Sequence, residues 1–299
     1  MFKSVLAKLA PLVTALFFIA GALWVADTNA LERLRQVSLT VILLTASISV
    51  GVYICLGAIA WCSLRARGVS CGFGDLFKIS VINNLLGYLL PAKLNVVAKA
   101  ILLRRLAGVT IVQFAWTSVD VALVTAGTSI ILVIVYLTSH ALWANHLTDA
   151  VLTLGLALAV SYAARKAVYG MLSKRAPSWL AQPYDRTWGA MTVGVVFVSL
   201  CLFALRLSVL LYSFAGQLAL DMTVLMAAVA SVATMKSFTP SGLFFREGAI
   251  VSIGVAAGFE LEVLVLISIV DRVIAMSSCM GIALVIAPSL FRRLSIVKG

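Results

Sequence analysis

The chain alternates long apolar runs with short polar interruptions, and the run lengths predict helices that cross a bilayer. A hydrocarbon core about 30 Å thick needs about 20 predominantly apolar residues. Six runs qualify: Leu9 to Ala26, Val37 to Leu64, Val109 to Leu137, Ala150 to Met171, Gly189 to Tyr212 and Leu261 to Ala287. Two other apolar stretches are interrupted. Leu76 to Pro91 contains Lys78 and the pair Asn83-Asn84, and Met222 to Gly258 contains Lys236, Pro240, Gly242, Arg246 and Glu247. Proline removes a backbone donor and disfavours helix at the residue before it, so both stretches are expected to break. The pattern predicts an all-α polytopic membrane protein with about eight hydrophobic segments, six full spans plus two broken re-entrant hairpins, in a single domain over 1–299.

Composition agrees. The chain is 63% hydrophobic and 11% charged, against about 25% charged residues in soluble domains. The formal charge of +12 raises nucleic acid as a partner until the cations are placed. With the N-terminus in the cytoplasm, the inner loops collect Lys3 and Lys8; then Arg65, Arg67, Lys78, Lys93, Lys99, Arg104 and Arg105; then Arg165, Lys166, Lys174, Arg175 and Arg186; and finally Arg292, Arg293 and Lys298. The outer loops keep Arg33 and Arg35. The basic excess is therefore a topology signal with both termini inside, and attraction to anionic headgroups is its second consequence. No nucleic-acid partner is expected. The first run, with Lys3 and Lys8 ahead of it and Thr28-Asn29-Ala30 behind, also resembles a signal peptide, and cleavage there would leave the remaining topology unchanged.

Each interrupted stretch must enter and leave on one side for this topology to close. The first dips in from the cytoplasm and the second from the opposite face. Two spans, a broken hairpin and a third span then recur with inverted orientation, suggesting repeat halves 1–140 and 141–299, a design common in secondary transporters. The alternative is eight plain helices, with the broken stretches merely short or kinked.

The broken stretches also carry the candidate chemistry. Asn84, Pro91, Lys93 and Asn95 lie at the first break, and the helix that follows suits the inner interface, with Lys99 and Arg105 facing phosphates. Its alternative is a plain cytoplasmic connection with anchoring charges. At the second break, Pro240, Ser241 and Gly242 form a turn whose open amides favour an anion. Arg246 and Glu247 follow within an apolar stretch, where ionisable groups point to function. The alternative there is a structural pairing of Arg246 with Glu247 or another acid. Asp120, Arg206, Asp271 and Arg272 lie inside full spans and are expected to face the bundle interior. Asp120 and Asp271 could neutralise Arg206, Arg246 or Arg272, or one of them could carry a coupling proton.

No catalytic constellation, metal-ligand spacing or Walker motif is evident, and no cofactor is expected. The five cysteines, Cys55, Cys62, Cys71, Cys201 and Cys279, are scattered and mostly within apolar runs, and read as small apolar residues.

At the two breaks the sequence resembles the membrane domain of the lysylphosphatidylglycerol synthase/flippase family. That family carries a Pro-Gly-Lys/Arg-x-Gly-Glu-like motif, here Pro91-Ala92-Lys93-Leu94-Asn95, with alanine, leucine and asparagine replacing the glycines and the acid. Its later Pro-Gly-Gly-Leu-Gly-x-Arg-Glu-like motif is here Pro240-Ser241-Gly242-Leu243-Phe244-Phe245-Arg246-Glu247, and Arg272 stands where a late arginine is expected. The resemblance implies lipid translocation or support of envelope lipid assembly in the inner membrane. Membrane lipids with anionic or zwitterionic headgroups would be the partners, with envelope lipid or glycan biosynthesis enzymes as possible associates. In two-part members a soluble domain transfers an aminoacyl group to phosphatidylglycerol. The chain ends shortly after the last span, so that activity is expected to be absent. An intramembrane lipid-modifying enzyme and a non-transporting scaffold are the competing readings.

Overall fold

The computed structural model describes residues 32, 35, 37–90, 94–142, 185–236 and 244–296. Eight helices are described: α1 (Leu39–Arg65), α2 (Phe73–Leu89), α3 (Leu94–Ala107), α4 (Ile111–Leu142), α5 (Arg186–Ala215), α6 (Leu220–Lys236), α7 (Phe245–Ala256) and α8 (Leu261–Ile296). There is no strand among the described residues. The expected spans Leu9 to Ala26 and Ala150 to Met171 lie outside them.

α1, α4, α5 and α8 are each long and apolar enough to cross a membrane. Their ends carry the polar chemistry that stops or starts a helix. Ser38 caps α1 by accepting from the Val41 amide at 3.3 Å. Thr110 and Gln113 form a reciprocal capping box at the start of α4, with bonds of 2.9 and 3.2 Å. Asp185 caps α5 through the Thr187 amide at 2.8 Å. Gly216, at φ 67°, ends α5 in the left-handed conformation that glycine adopts without steric cost. The last helix overruns the expected end at Ala287 and carries Pro288 within it.

The interrupted stretches are two pairs of short helices. The first is α2 with α3, whose break at Leu90 precedes Pro91. The second is α6 with α7. α2 and α6 have 17 residues each, and α3 and α7 have 14 and 12, too short for full spans. The described residues thus run long, short, short, long and then repeat that order. The first helices of the two sets, α1 and α5, lie antiparallel: the Asp185 amide donates to the Ala66 carbonyl at 2.8 Å, and Arg206 reaches back to Ser49.

Burial separates the spans. About half of the apolar window is buried in α5 (50%) and α8 (56%), against 22% in α1 and 28% in α4, so α5 and α8 form the centre of the described bundle. Leu207, Leu210 and Leu211 of α5 pack with Met226 and Ala230 of α6, Ile250 of α7 and Leu264 and Ile267 of α8. The second hairpin is therefore sunk into the bundle between the two central helices. On the other side, Val81 of α2 packs with Tyr53 of α1 and with Cys279 and Ala283 of α8. α3 buries only Leu103, so it lies against the bundle rather than inside it.

Candidate functional site

The central helices and α7 bring five ionisable side chains together at membrane depth. Arg206 lies nine residues before the end of α5, and Asp271 and Arg272 lie ten and eleven residues after the start of α8. At a rise of 1.5 Å per residue these positions are about 13 to 17 Å inside the helix ends, close to half of a hydrocarbon core about 30 Å thick. α7 begins beside them and contributes Arg246 and Glu247 in its first turn. Arg206, Arg246, Glu247, Asp271 and Arg272 are all buried.

The pairing is crossed. Arg246 of α7 binds Asp271 of α8, and Glu247 of α7 binds Arg272 of α8. A positive-negative dipeptide thus faces a negative-positive one across the two helices. Asp271 also receives Arg206: Nη2 donates to Oδ2 at 3.2 Å, and Nε lies 2.5 Å from Oδ1 as an ion-pair contact without hydrogen-bond geometry. Arg206 Nη1 donates to Ser49 Oγ at 3.0 Å, tying α1 to the cluster. Phe203, one turn before Arg206, lies under two cations: its ring centroid is 5.2 Å from the Arg206 guanidinium and 4.7 Å from that of Arg246.

The other hairpin arrives at the same point. Tyr88, in the last turn of α2, places its ring 5.7 Å from the Arg272 guanidinium. The Tyr53 hydroxyl of α1 donates to the Ala275 carbonyl of α8 at 2.7 Å and lies 3.4 Å from the Tyr88 hydroxyl. With the Tyr53 proton on Ala275, the Tyr88 hydroxyl is the donor of that second, longer bond. The C-terminal end of α2 and the N-terminal end of α7 therefore both abut Arg272.

The α7 end is reached through an unusual backbone. Phe244, immediately before the helix, has φ 72° and ψ −40°, and it is the one non-glycine residue with positive φ among the described residues. It occupies the position where the family-like pattern quoted above has glycine. Phe244 and Phe245 are exposed while Arg246 and Glu247 are buried, so the turn drives the charged pair inward and leaves two aromatic rings on the outside.

The structure sorts the sequence-derived site residues. Arg246, Glu247 and Arg272 meet directly, and Arg206 and Asp271 complete the cluster. Asp120 is fully buried on α4, and Asp271 and Glu247 pair with Arg206, Arg246 and Arg272. Of the two pairings open to Arg246, with its neighbour Glu247 or with another acid, the structure has the second, with Asp271. Adjacent helical residues point about 100° apart, which gives each a partner on α8 instead. Asn84 is half-buried and donates to the Ser80 carbonyl one turn back at 2.9 Å, a bond within its own helix. Asn95 is half-buried in the first turn of α3. Pro91, Lys93, Pro240 and Gly242 lie outside the described residues. Sequence reasoning missed Tyr53, Tyr88, Phe203 and Ser49. Phe203, at three residues before Arg206, and Tyr88, at three before Pro91, had spacings that could have flagged them.

The profile of the lysylphosphatidylglycerol synthase TM region family matches residues 12–282 of the chain. No curated protein and no solved structure matches it. A match over this length, together with an all-helical membrane fold built around the Arg246-Glu247 turn, assigns the chain: it belongs to the lysylphosphatidylglycerol synthase TM region family.

Proposed function

We propose that this protein is a lipid transporter of the cytoplasmic membrane, which takes the phosphate-bearing headgroup of a phospholipid or glycolipid between the two hairpins and carries it across the bilayer. One observation supports the reading above the others: the ends of α2 and α7 converge on Arg272, within a buried cluster at membrane depth. Its three guanidinium and two carboxylate groups carry one net positive charge. Such a centre favours a single anion, and arginine forks suit phosphate oxygens. In this reading Arg246 and Arg272 attract the headgroup, the acyl chains stay in the surrounding lipid, and Lys93 and the cations of α3 gather anionic lipids at the cytoplasmic face, where both termini lie. The protein acts on lipid position and makes no covalent product. The inverted order of spans and hairpins supplies two halves that rock about the fixed site.

The test is reconstitution of purified protein into vesicles containing fluorescent phosphatidylglycerol, with the outer leaflet quenched chemically. Wild-type protein is expected to make the inner-leaflet label accessible within the assay, Arg246→Lys to do so more slowly, and Arg246→Ala to match empty vesicles. Equal rates for wild type, Arg246→Ala and empty vesicles would remove the proposal.

A further inference from the structure

The two carboxylates of the cluster are held unequally. Asp271 has guanidinium groups within ion-pair distance of both oxygens, from Arg206 and Arg246, and hydrogen-bonds them through Oδ2 alone. Glu247 is bound to Arg272 through Oε1, while Oε2 is buried and has no hydrogen-bond partner. The Glu247 side chain is nine-tenths buried, so this oxygen is shielded from bulk water. A carboxylate oxygen in that position lacks a donor, and a proton is the smallest group that supplies one. The groups around Glu247 are Arg246 on its own helix, Asp271 and Arg272 on α8, Tyr88 on α2, and Arg206 on α5 behind Asp271. Lys236 closes α6, the other helix packed against α7.

An anionic headgroup that takes Arg272 competes with Glu247 for it. If Glu247 stayed ionised, a buried carboxylate would lose its counter-ion, the arrangement that low-dielectric surroundings penalise most. We propose that capture of a phosphodiester by Arg272 is coupled to protonation of Glu247, so that one proton enters the site with each lipid anion. The proposal rests on the headgroup site argued above and adds its driving ion. The step balances. A proton from water binds Glu247 Oε2, the Arg272 to Oε1 ion pair opens, and a phosphodiester oxygen replaces the carboxylate at Arg272. The five protein groups and the anion together keep the single positive charge of the empty cluster. Release on the far side reverses each move. Because proton and lipid travel together, an inward proton gradient would drive lipid from the outer leaflet to the cytoplasmic one, where the cations of α3 receive it.

Isothermal titration of short-chain phosphatidylglycerol into detergent-solubilised full-length protein, in two buffers of different ionisation enthalpy at neutral pH, counts the protons directly. Wild type is expected to take up about one proton per lipid bound, with affinity falling up to about tenfold per pH unit rise. Glu247→Gln, which is neutral at every pH, is expected to bind as tightly as wild type at low pH and to take up none. An infrared band of a protonated carboxyl should appear on lipid binding in wild type and be missing in Glu247→Gln, a readout that a merely structural glutamate would not give. Lipid binding without proton uptake, or the same uptake in Glu247→Gln, would overturn the coupling and leave the headgroup site standing. Absence of phosphatidylglycerol binding at every pH would overturn both. A parallel titration with glycerophosphoglycerol separates lipid from free phosphodiester: binding of the water-soluble compound alone would overturn the assignment to a lipid.

Discussion

Glu247 of α7 and Arg272 of α8 form a buried ion pair that joins the second hairpin to the last span, and Tyr88 of the first hairpin covers the same arginine. Neighbouring Arg246 and Asp271 make the matching pair in the opposite sense. Buried pairs are weak evidence for stability as such, because desolvation offsets much of their attraction. What they do firmly is fix partners: a wrong register of α7 on α8 would bury unpaired charge.

The unequal sharing of the acids predicts an order of stability. Asp271→Asn leaves two arginines without their common counter-ion and is expected to cost about 3 to 5 kcal/mol, whereas Glu247→Gln leaves one and costs less. Thermal unfolding in detergent should rank wild type above Glu247→Gln and both above Asp271→Asn. Equal melting temperatures for the two variants would mean that Arg206 and Arg246 do not depend on Asp271 as the geometry requires.

Phe244 predicts a gain. A non-glycine residue at φ 72° is strained by about 1 to 3 kcal/mol, and glycine has no such penalty. Phe244→Gly is expected to raise the melting temperature, while Phe244→Ala, which keeps a Cβ, is not. If alanine and glycine behaved alike, the effect would come from the exposed ring and not from the backbone.

Helix contact is tightest where glycine removes a side chain. A Cβ on Gly57 would lie 3.0 Å from Phe77 Cα, at the approach of α1 to α2, and backbone cannot yield as a side-chain tip can. Gly57→Ala is expected to destabilise the protein by about 1 to 3 kcal/mol through overpacking. Gly127 on α4 has open space around its Cβ position, so Gly127→Ala should be neutral or slightly stabilising by helix propensity. The same melting assay compares them.

Tyr88 predicts a graded effect on transport. Tyr88→Phe keeps the ring beside Arg272 and loses only the 3.4 Å bond to Tyr53, so most lipid movement should remain. Tyr88→Leu removes a cation–π contact worth about 0.5 to 2 kcal/mol and should slow movement further. Vesicle assays at equal protein density would show the order, and a Leu variant as fast as wild type would take Tyr88 out of the site.

Much of this was legible in the sequence because the bilayer imposes simple rules. Unbroken apolar runs became α1, α4, α5 and α8, and the polar interruptions near Pro91 and Pro240 became paired short helices. The buried charges Arg206, Arg246, Glu247, Asp271 and Arg272 also stood out, since an ion in an apolar run needs a reason. Their partners did not. The crossed pairs join residues 25 positions apart, and that choice depends on how α7 is rotated against α8, which no local pattern encodes. Tyr53 and Ser49 were invisible for a different reason: each sits in an apolar span where its type is unremarked, and only the fold brings them to Ala275 and Arg206. The positive φ of Phe244 is hidden because phenylalanine gives no signal of it.

In the proposed function a lipid headgroup sits where the two hairpins meet. Photo-cross-linking tests it most directly: phosphatidylglycerol with a photoreactive group on its headgroup is activated in vesicles holding the full-length protein, and the labelled peptides are found by mass spectrometry. Labelling is expected on the peptides that carry Tyr88, Arg246 and Arg272, reduced by excess unlabelled phosphatidylglycerol. Labelling confined to outward-facing positions such as Leu284 and Val285, 71% and 80% exposed, would contradict it.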